Sequence, residues 1–365
     1  MVDLNILHIS RTMDQGGAEK IVMQLVQEGC GQADFVCVAS TGGCHVSRLE
    51  QMGAKHVEIP DLDGKQPAKM LQTYHILKRI VKNEKIQVVH AHHRMAAFYA
   101  WLLKLRFPGL RLIYTAHNVF YNRRFLTRLS LGPSAIVAVG NNVKDNLIKV
   151  FGIRPERISV ICNAIDREEN REDGGNELLA EFGREGKILI GTIGRLTRQK
   201  GIDVFLNAMA RVVKEIPDAM GIIVGDGEDR ELLQKQAEEL SLQEHICFLG
   251  YQEHVIELIR QMDFVVMSSR WEGFPLTPIE VFAASKTLAA SDIGGINEIV
   301  KQEYNGLLVP AEDAEAFAEA IRRLIRDVGL RRKLELGAWE CYEMYYGFEA
   351  FRDGYRRQYE LLMKK

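Results

Sequence analysis

Short unbroken runs of Val, Ile and Leu recur along the chain, and between them apolar positions return every three or four residues. An unbroken apolar run reads as a strand buried on both faces, and the helical period between runs reads as a helix lying on the sheet. Their alternation is the pattern of βα repeats and of a parallel sheet. In the first half it predicts strands near 4 to 9, 34 to 39, 56 to 59, 86 to 91, 111 to 116, 135 to 139 and 158 to 162, with helices filling the gaps. A second series starts at Lys187-Ile-Leu-Ile-Gly-Thr-Ile and continues near 219 to 224, 246 to 249, 264 to 269 and 287 to 291. Helices are expected from about Gly17 to Gln27, from Ile202 to Ile216, from near Pro278 and from Gly294-Gly295. A tail of helices follows from Asp313, the last ending near Leu362.

Between the two series, Arg167 to Gly186 is polar and acidic and suits a connection that begins as linker and ends as a short helix. A chain of 365 residues is comfortable for two domains. Residues 1 to 166, joined by a final helix over about 346 to 365, are expected to form one, and residues 167 to 345 the other. With 47% hydrophobic and 26% charged residues, each half can bury a core. No apolar run is long enough to span a membrane, and the start of the chain has no basic n-region or cleavage site, so the expected location is cytoplasmic. The six cysteines lack Cys-x-x-Cys pairing and histidines at metal-ligand spacing, which points to reduced core thiols rather than zinc or disulfides. Charge is uneven: residues 1 to 166 carry 21 Lys and Arg against 13 Asp and Glu, while the remainder is acidic.

In an open parallel sheet ligands bind beyond the carboxyl ends of the strands, so the loops there hold the candidate chemistry. Phe264-Val-Val-Met-Ser-Ser269 runs into Arg-Trp-Glu-Gly-Phe-Pro-Leu-Thr-Pro-Ile-Glu280. Glu272 and Glu280 stand with seven residues between them, one in the loop and one in the first helical turn, where both could face one ligand. Gly273 permits close backbone approach, and Pro275 and Pro278 stiffen the loop. Gly194-Arg195-Leu-Thr-Arg-Gln-Lys200-Gly201 sets a forked and a point cation around another strand-to-helix turn, which could grip a diphosphate or could be solvated loop charge. Gly16-Gly17 opens a helix, where N–H groups meet anions, although glycines also make ordinary turns. It is not the Gly-x-Gly-x-x-Gly fingerprint of dinucleotide sites. Gly225-Asp226-Gly227 forms a further strand-end turn. His117 ends a strand on the ligand side and reads equally as structural or functional; His90 and His92 share one strand face and His93 the other, and these three read as structural residues ahead of acceptor-contacting ones. Asp61-Leu-Asp63 has the spacing of a metal motif, but Pro60 and Gly64 explain it as a turn.

The Glu-Gly-Phe-Pro-Leu-Thr-Pro-Ile-Glu segment resembles the E-x7-E signature of retaining GT-B glycosyltransferases, glycosyltransferase group 1, which includes bacterial mannosyl- and glucosyltransferases. The Gly-Arg...Lys-Gly segment, the Gly-Gly loop, Thr115-Ala-His117-Asn118 and Ile161-Cys-Asn-Ala-Ile-Asp166 extend the resemblance over nearly the whole chain, Cys162 and Ala164 departing from the usual Pro and Gly. The resemblance implies an α/β GT-B architecture, two Rossmann-like parallel-sheet domains facing across a cleft. It implies sugar transfer from a nucleotide-diphosphate-sugar to an acceptor hydroxyl with retention, without cofactor or metal. Catalytic roles fall to His117, Glu272, Arg195 and Lys200. Donor binding falls to Gly16, Gly17, Arg195, Lys200, Gly225, Gly273, Phe274, Pro275 and Glu280. Nucleic acid is not among the implied partners. Relatives of this kind glycosylate lipid-linked or cell-envelope acceptors, which with the cations and apolar residues of 120 to 128 suggests contact with the anionic inner face of a membrane. A nucleotide-sugar epimerase and a catalytically idle nucleotide-sugar-binding homologue are the alternatives. Release of free nucleoside diphosphate separates the idle homologue from an active transferase.

Overall fold

The computed structural model describes residues 4–14, 16–31, 33–64, 66–166, 179 and 186–364. They divide into two compact units, residues 1–163 with 351–365, and residues 164–350. The connection expected over 167 to 186 lies, apart from Leu179 and Gly186, outside the described residues.

In the first unit β1 (Asn5–Ile9), β2 (Phe35–Ser40), β3 (Lys55–Glu58), β4 (Val88–Ala91), β5 (Arg111–Ala116), β6 (Ala135–Ala138) and β7 (Ile158–Val160) form one sheet in the order β3-β2-β1-β4-β5-β6-β7. Every neighbouring pair is parallel, with His8 of β1 level with Val38 of β2 and His90 of β4. The helix Gly17–Cys30 buries its whole middle run, Ile21 to Val26, and Val22, Met23 and Val26 share a core cluster with Val36 and Val38 of β2. Chain order runs outward from β1 to β3 and then restarts at β4 on the other flank of β1. That reversal makes the carboxyl ends of β1 and β4 a topological switch point. The last helix, Phe348–Lys364, packs on this sheet from Phe351 onward: Gln358 donates to Ser159 Oγ at 2.7 Å and Tyr359 OH lies 2.7 Å from His90 Nδ1.

The second unit repeats the scheme with β8 (Ile188–Ile193), β9 (Ala219–Val224), β10 (Ile246–Gly250), β11 (Phe264–Met267), β12 (Leu288–Ser291) and β13 (Leu307–Val309), ordered β10-β9-β8-β11-β12-β13 and all parallel. Here the switch point falls between β8 and β11. Phe205, Phe264 and Phe317 are fully buried in its core. Truncating one of them to Ala costs about 3–5 kcal/mol.

Four expectations need correction. The helix from Ile202 ends at Val212 rather than Ile216, because Pro217 pushes the residue before it out of helical geometry. Gly294-Gly295 opens a series of turns over 294–299, not a helix: Gly295 has a φ of +89°, and too few residues follow before the chain leaves for β13. The edge strand β13 was not anticipated, since three residues are too short to show a period. The strand near 158 to 162 stops at Val160.

Asp61 and Asp63 form a turn: Asp61 Oδ1 accepts from Asp63 N at 3.1 Å, and Arg11 pairs with both carboxylates, at 3.1 and 3.0 Å. All six cysteines are free thiols. Among the described residues no helix is long and apolar enough to cross a membrane.

Candidate functional site

The loops after β8 and β11, the two strands at the switch point of the second unit, hold each other in place through paired charges and backbone contacts. Lys200 Nζ donates to Glu272 Oε1 at 2.7 Å, and the same oxygen accepts from Ser269 Oγ at 2.9 Å. Gln199 Nε2 donates to Trp271 O at 2.9 Å and reaches Glu272 Oε2 at 3.4 Å. Glu272 is buried and Lys200 only partly exposed, so each ion is held by its partner rather than by bulk water. Beside them Arg270 makes a forked pair with Asp203, at 2.9 and 2.7 Å, and donates to Arg198 O at 2.8 Å. Burial pushes the Asp203 carboxyl up, but the Arg270 guanidinium overrides it and holds the group below its usual range. Gly201 sits at φ +63° with Ser268 O where a Cβ would be, 2.1 Å away. Gly225, after β9, has φ +133° and would place a Cβ 2.0 Å from Gly194 O. Only glycine lets these backbones meet so closely.

The remaining expected residues of this unit occupy the same loops. Arg195 is exposed on the turn after β8. Gly273 packs against Gly295, whose added Cβ would lie 2.4 Å from Gly273 O. Phe274 and Pro275 are buried, the Phe274 ring 6.2 Å from that of Tyr346. Glu280 is buried in the first turn of the helix Thr277–Ala283, with Pro278 at the start of that helix.

In the first unit Gly16 and Gly17 follow β1 at the switch point, and His117 follows β5, the neighbour of β4. Gly16 caps the helix Gly17–Cys30 in extended geometry with no side-chain cap, which leaves first-turn N–H groups for another acceptor. His117, just past β5, is partly exposed. Its Nε2 lies 3.3 Å from His92 Nδ1, and His92 Nε2 lies 3.0 Å from His8 Nδ1. His90 stacks on His92 with ring centroids 4.1 Å apart, and its nitrogens meet Tyr359 OH at 2.7 Å and Thr115 Oγ1 at 2.8 Å. Burial lowers the pKa of His8 to about 3 and of His117 to about 4. Burial, with the neighbouring imidazoles adding to it, holds His90 and His92 well below the ordinary value. All four are therefore neutral at pH 7. Nitrogens of His8, His90 and His92 lie within 4.8 Å of one another, yet both nitrogens of His90 and of His92 already have partners and no carboxylate joins the group. A buried divalent ion there would carry uncompensated charge. His93 stands apart, accepting from Met95 N at 3.3 Å at the start of the helix Arg94–Arg106.

Sequence reasoning missed His8, Gln199 and Ser269. His8 had a readable signal, a polar residue between Leu7 and Ile9 in a buried strand, which requires a buried partner. Gln199 and Ser269 are ordinary loop residues until tertiary structure brings them to Glu272.

The chain matches two family models, "Glycosyl transferases group 1" over residues 176–338 and "Glycosyltransferase Family 4" over residues 15–169. It is 26% identical over 271 residues, 69% of each chain, to the UDP-Gal:alpha-D-GlcNAc-diphosphoundecaprenol alpha-1,3-galactosyltransferase of Escherichia coli. It is 27% identical over 245 residues to the phosphatidylinositol N-acetylglucosaminyltransferase GPI3 subunit of Saccharomyces cerevisiae, covering 64% of this chain and 54% of that one. Its fold is similar to that of Anabaena Alr3699/HepE, solved in complex with UDP-glucose, at a TM-score of 0.85 and 20% identity over 98% of this chain and 100% of that one. It is also similar to WaaG, a glycosyltransferase involved in lipopolysaccharide biosynthesis, at a TM-score of 0.76 and 15% identity over 95% and 98% of the two chains. With both halves matched and two parallel Rossmann-like units in place, the chain belongs to the group 1 glycosyltransferases of GT-B fold.

Proposed function

We propose that this glycosyltransferase takes its sugar from a nucleotide-diphosphate donor and passes it, with retention, to a hydroxyl of a lipid-linked or cell-envelope acceptor. The observation that carries the reading is the Lys200–Glu272 pair, 2.7 Å apart, on loops that also present Arg195 and close-packed glycine backbone. Breaking the bond between the anomeric carbon and the diphosphate oxygen leaves negative charge on phosphate and positive character on the sugar. Arg195 and Lys200, with the backbone N–H groups at Gly16 and Gly17, suit the former, so the reaction as proposed takes no metal. Glu272 suits the sugar, Glu280 the ribose hydroxyls, and His117 a further sugar hydroxyl. Gly225, Gly273, Phe274 and Pro275 shape the donor site. The acceptor hydroxyl forms the new bond to the anomeric carbon, and its proton passes to the departing phosphate on the same face. UDP-glucose in the Anabaena neighbour and UDP-Gal in the name of the E. coli relative support a nucleotide-sugar donor.

Support for a membrane-borne acceptor comes from the helix Arg124–Leu131 and the loop before it. Tyr121 and Phe125 are 70% and 81% exposed, with Leu126 and Leu129 also open to solvent, beside Arg123, Arg124 and Arg128. The loop is held stiff: Arg94 lies over the Phe120 ring at 3.9 Å, and Asn146 bonds both backbone groups of Phe120 at 3.0 Å. A rigid apolar patch ringed by cations fits an anionic bilayer surface. The diphosphoundecaprenol named for the E. coli relative is itself lipid-linked.

The test is a thermal-shift screen against UDP-, GDP- and ADP-sugars, followed by assay of nucleoside diphosphate release with acceptor. A donor at 100 times its Kd stabilises the protein by about 2.7 kcal/mol. Absence of any shift overturns the donor assignment; a shift without turnover identifies a binding homologue.

A further inference from the structure

His117, His92 and His8 form a chain of three imidazoles joined nitrogen to nitrogen. His117 Nε2 meets His92 Nδ1 at 3.3 Å, and His92 Nε2 meets His8 Nδ1 at 3.0 Å. Beyond His8 Nδ1 the chain stops, because His8 Nε2 is buried with no hydrogen-bond partner among the described residues. At the other end His117 is partly exposed, and its Nδ1 has no hydrogen-bond partner among the described residues. A neutral imidazole has one N–H and one lone pair, so each contact needs a donor on one side and an acceptor on the other. Two arrangements satisfy both contacts. In the first, protons point inward: His117 Nε2 donates to His92, His92 Nε2 donates to His8, and His8 Nε2 is left as a buried N–H without acceptor. In the second, protons point outward: His8 Nδ1 donates to His92, His92 Nδ1 donates to His117, and His117 carries its proton on Nδ1.

The choice follows from what is left over at His8. An orphaned buried N–H is rarer in folded proteins than an unused lone pair. A buried donor left unmade has lost its water without gaining a partner. The outward arrangement leaves only a lone pair. His90 does not bias the choice, because its nitrogens face the hydroxyls of Tyr359 and Thr115, which rotate to donate or accept. Its ring, stacked 4.1 Å from that of His92, fixes the plane of the relay.

We propose that His92 and His8 are positioning residues that fix His117 as the Nδ1–H tautomer, so that it presents a hydrogen-bond donor to an oxygen of the bound sugar. The assignment of the sugar to His117 rests on the function proposed above; the tautomer itself does not. Long-range ¹H–¹⁵N correlation spectra of the full chain labelled in histidine, taken at pH 7.5, read it directly. His117, His92 and His8 are all expected protonated at Nδ1, and a His117 protonated at Nε2 in the wild type overturns the proposal outright. In His92→Phe, which keeps a ring and removes the donor, His117 shifts toward its other tautomer and turnover falls about 100-fold, the lower end of the loss for one transition-state donor. His92→Asn, whose amide N–H stands near the original Nδ1, restores the tautomer and brings turnover to within about threefold of wild type. An unchanged His117 tautomer in His92→Phe also overturns the proposal. Should His92→Phe not fold, the wild-type spectrum and His8→Leu, expected to release the same preference, decide. Full activity in His117→Ala instead removes the sugar assignment while leaving the tautomer reading intact.

Discussion

Lys200 uses one of its three N–H donors on Glu272, and among the described residues the other two stay open for the phosphate proposed above. That arrangement fixes the cation before the ligand arrives, which is the condition for a charge to act on a transition state without reorganisation. Lys200→Ala and Arg195→Ala are each expected to lower kcat about 10²- to 10³-fold. Lys200→Ala also strips a partner from buried Glu272 and is expected to lose about 1–3 kcal/mol of stability, readable in urea unfolding. Near-normal kcat in both variants removes the diphosphate assignment. Glu280→Ala is expected to raise donor KM with little change in kcat, since a ribose contact is made equally in ground and transition states. A kcat defect with unchanged KM would reassign Glu280 to the reacting sugar. Both glutamates were legible from their spacing and loop. The pairing of Glu272 with Lys200 was not, because 72 positions separate them and only the adjacency of β11 and β8 joins their loops.

At the scale of elements, the helix Arg124–Leu131 turns Thr127, Ser130 and Leu131 inward and leaves Phe125 and its neighbours outward. Burying Phe125 and Tyr121 in an interface, with about 1 kcal/mol from each cation near an anionic surface, suffices for reversible docking. Co-sedimentation with vesicles containing anionic lipid is expected, lost with neutral vesicles, at high salt, or on changing Arg123, Arg124 and Arg128 to Glu. Equal indifference to both vesicle types points to a soluble acceptor. The basic residues and aromatics were visible in the sequence, but which of them face outward depends on how the helix lies on its unit. Elsewhere at this scale, element type was legible wherever the apolar period was long, and failed where it was short, as at β13 and at the turns after Gly294-Gly295.

For the whole molecule, buried His8, His90 and His92, with partly exposed His117, tie folding to pH. Their pKa values are depressed in the folded state, to about 3 at His8 and about 4 at His117, and well below the ordinary value at His90 and His92. As pH falls below about 6.5, the unfolded chain takes up protons that the folded chain refuses, so stability declines, by up to about 1.4 kcal/mol per pH unit for each histidine. The decline continues toward pH 4, where His117 begins to protonate in place. Urea midpoints between pH 7.5 and 5, a range above most carboxylate titration, are expected to fall steadily in the wild type and less steeply in His8→Phe. A flat midpoint over that range shows that these histidines are not held neutral. The sequence by itself determined the parallel α/β class, the two series of repeats and the loops that carry charge, because period, glycine and proline act locally. Only the tertiary structure decided what those loops do to one another. It set β1 beside β4 and β8 beside β11, and so placed His8 against His92 and Lys200 against Glu272. Strand order is a property of the packed sheet rather than of any stretch of chain, and a partner supplied from a distant strand leaves no mark on local pattern.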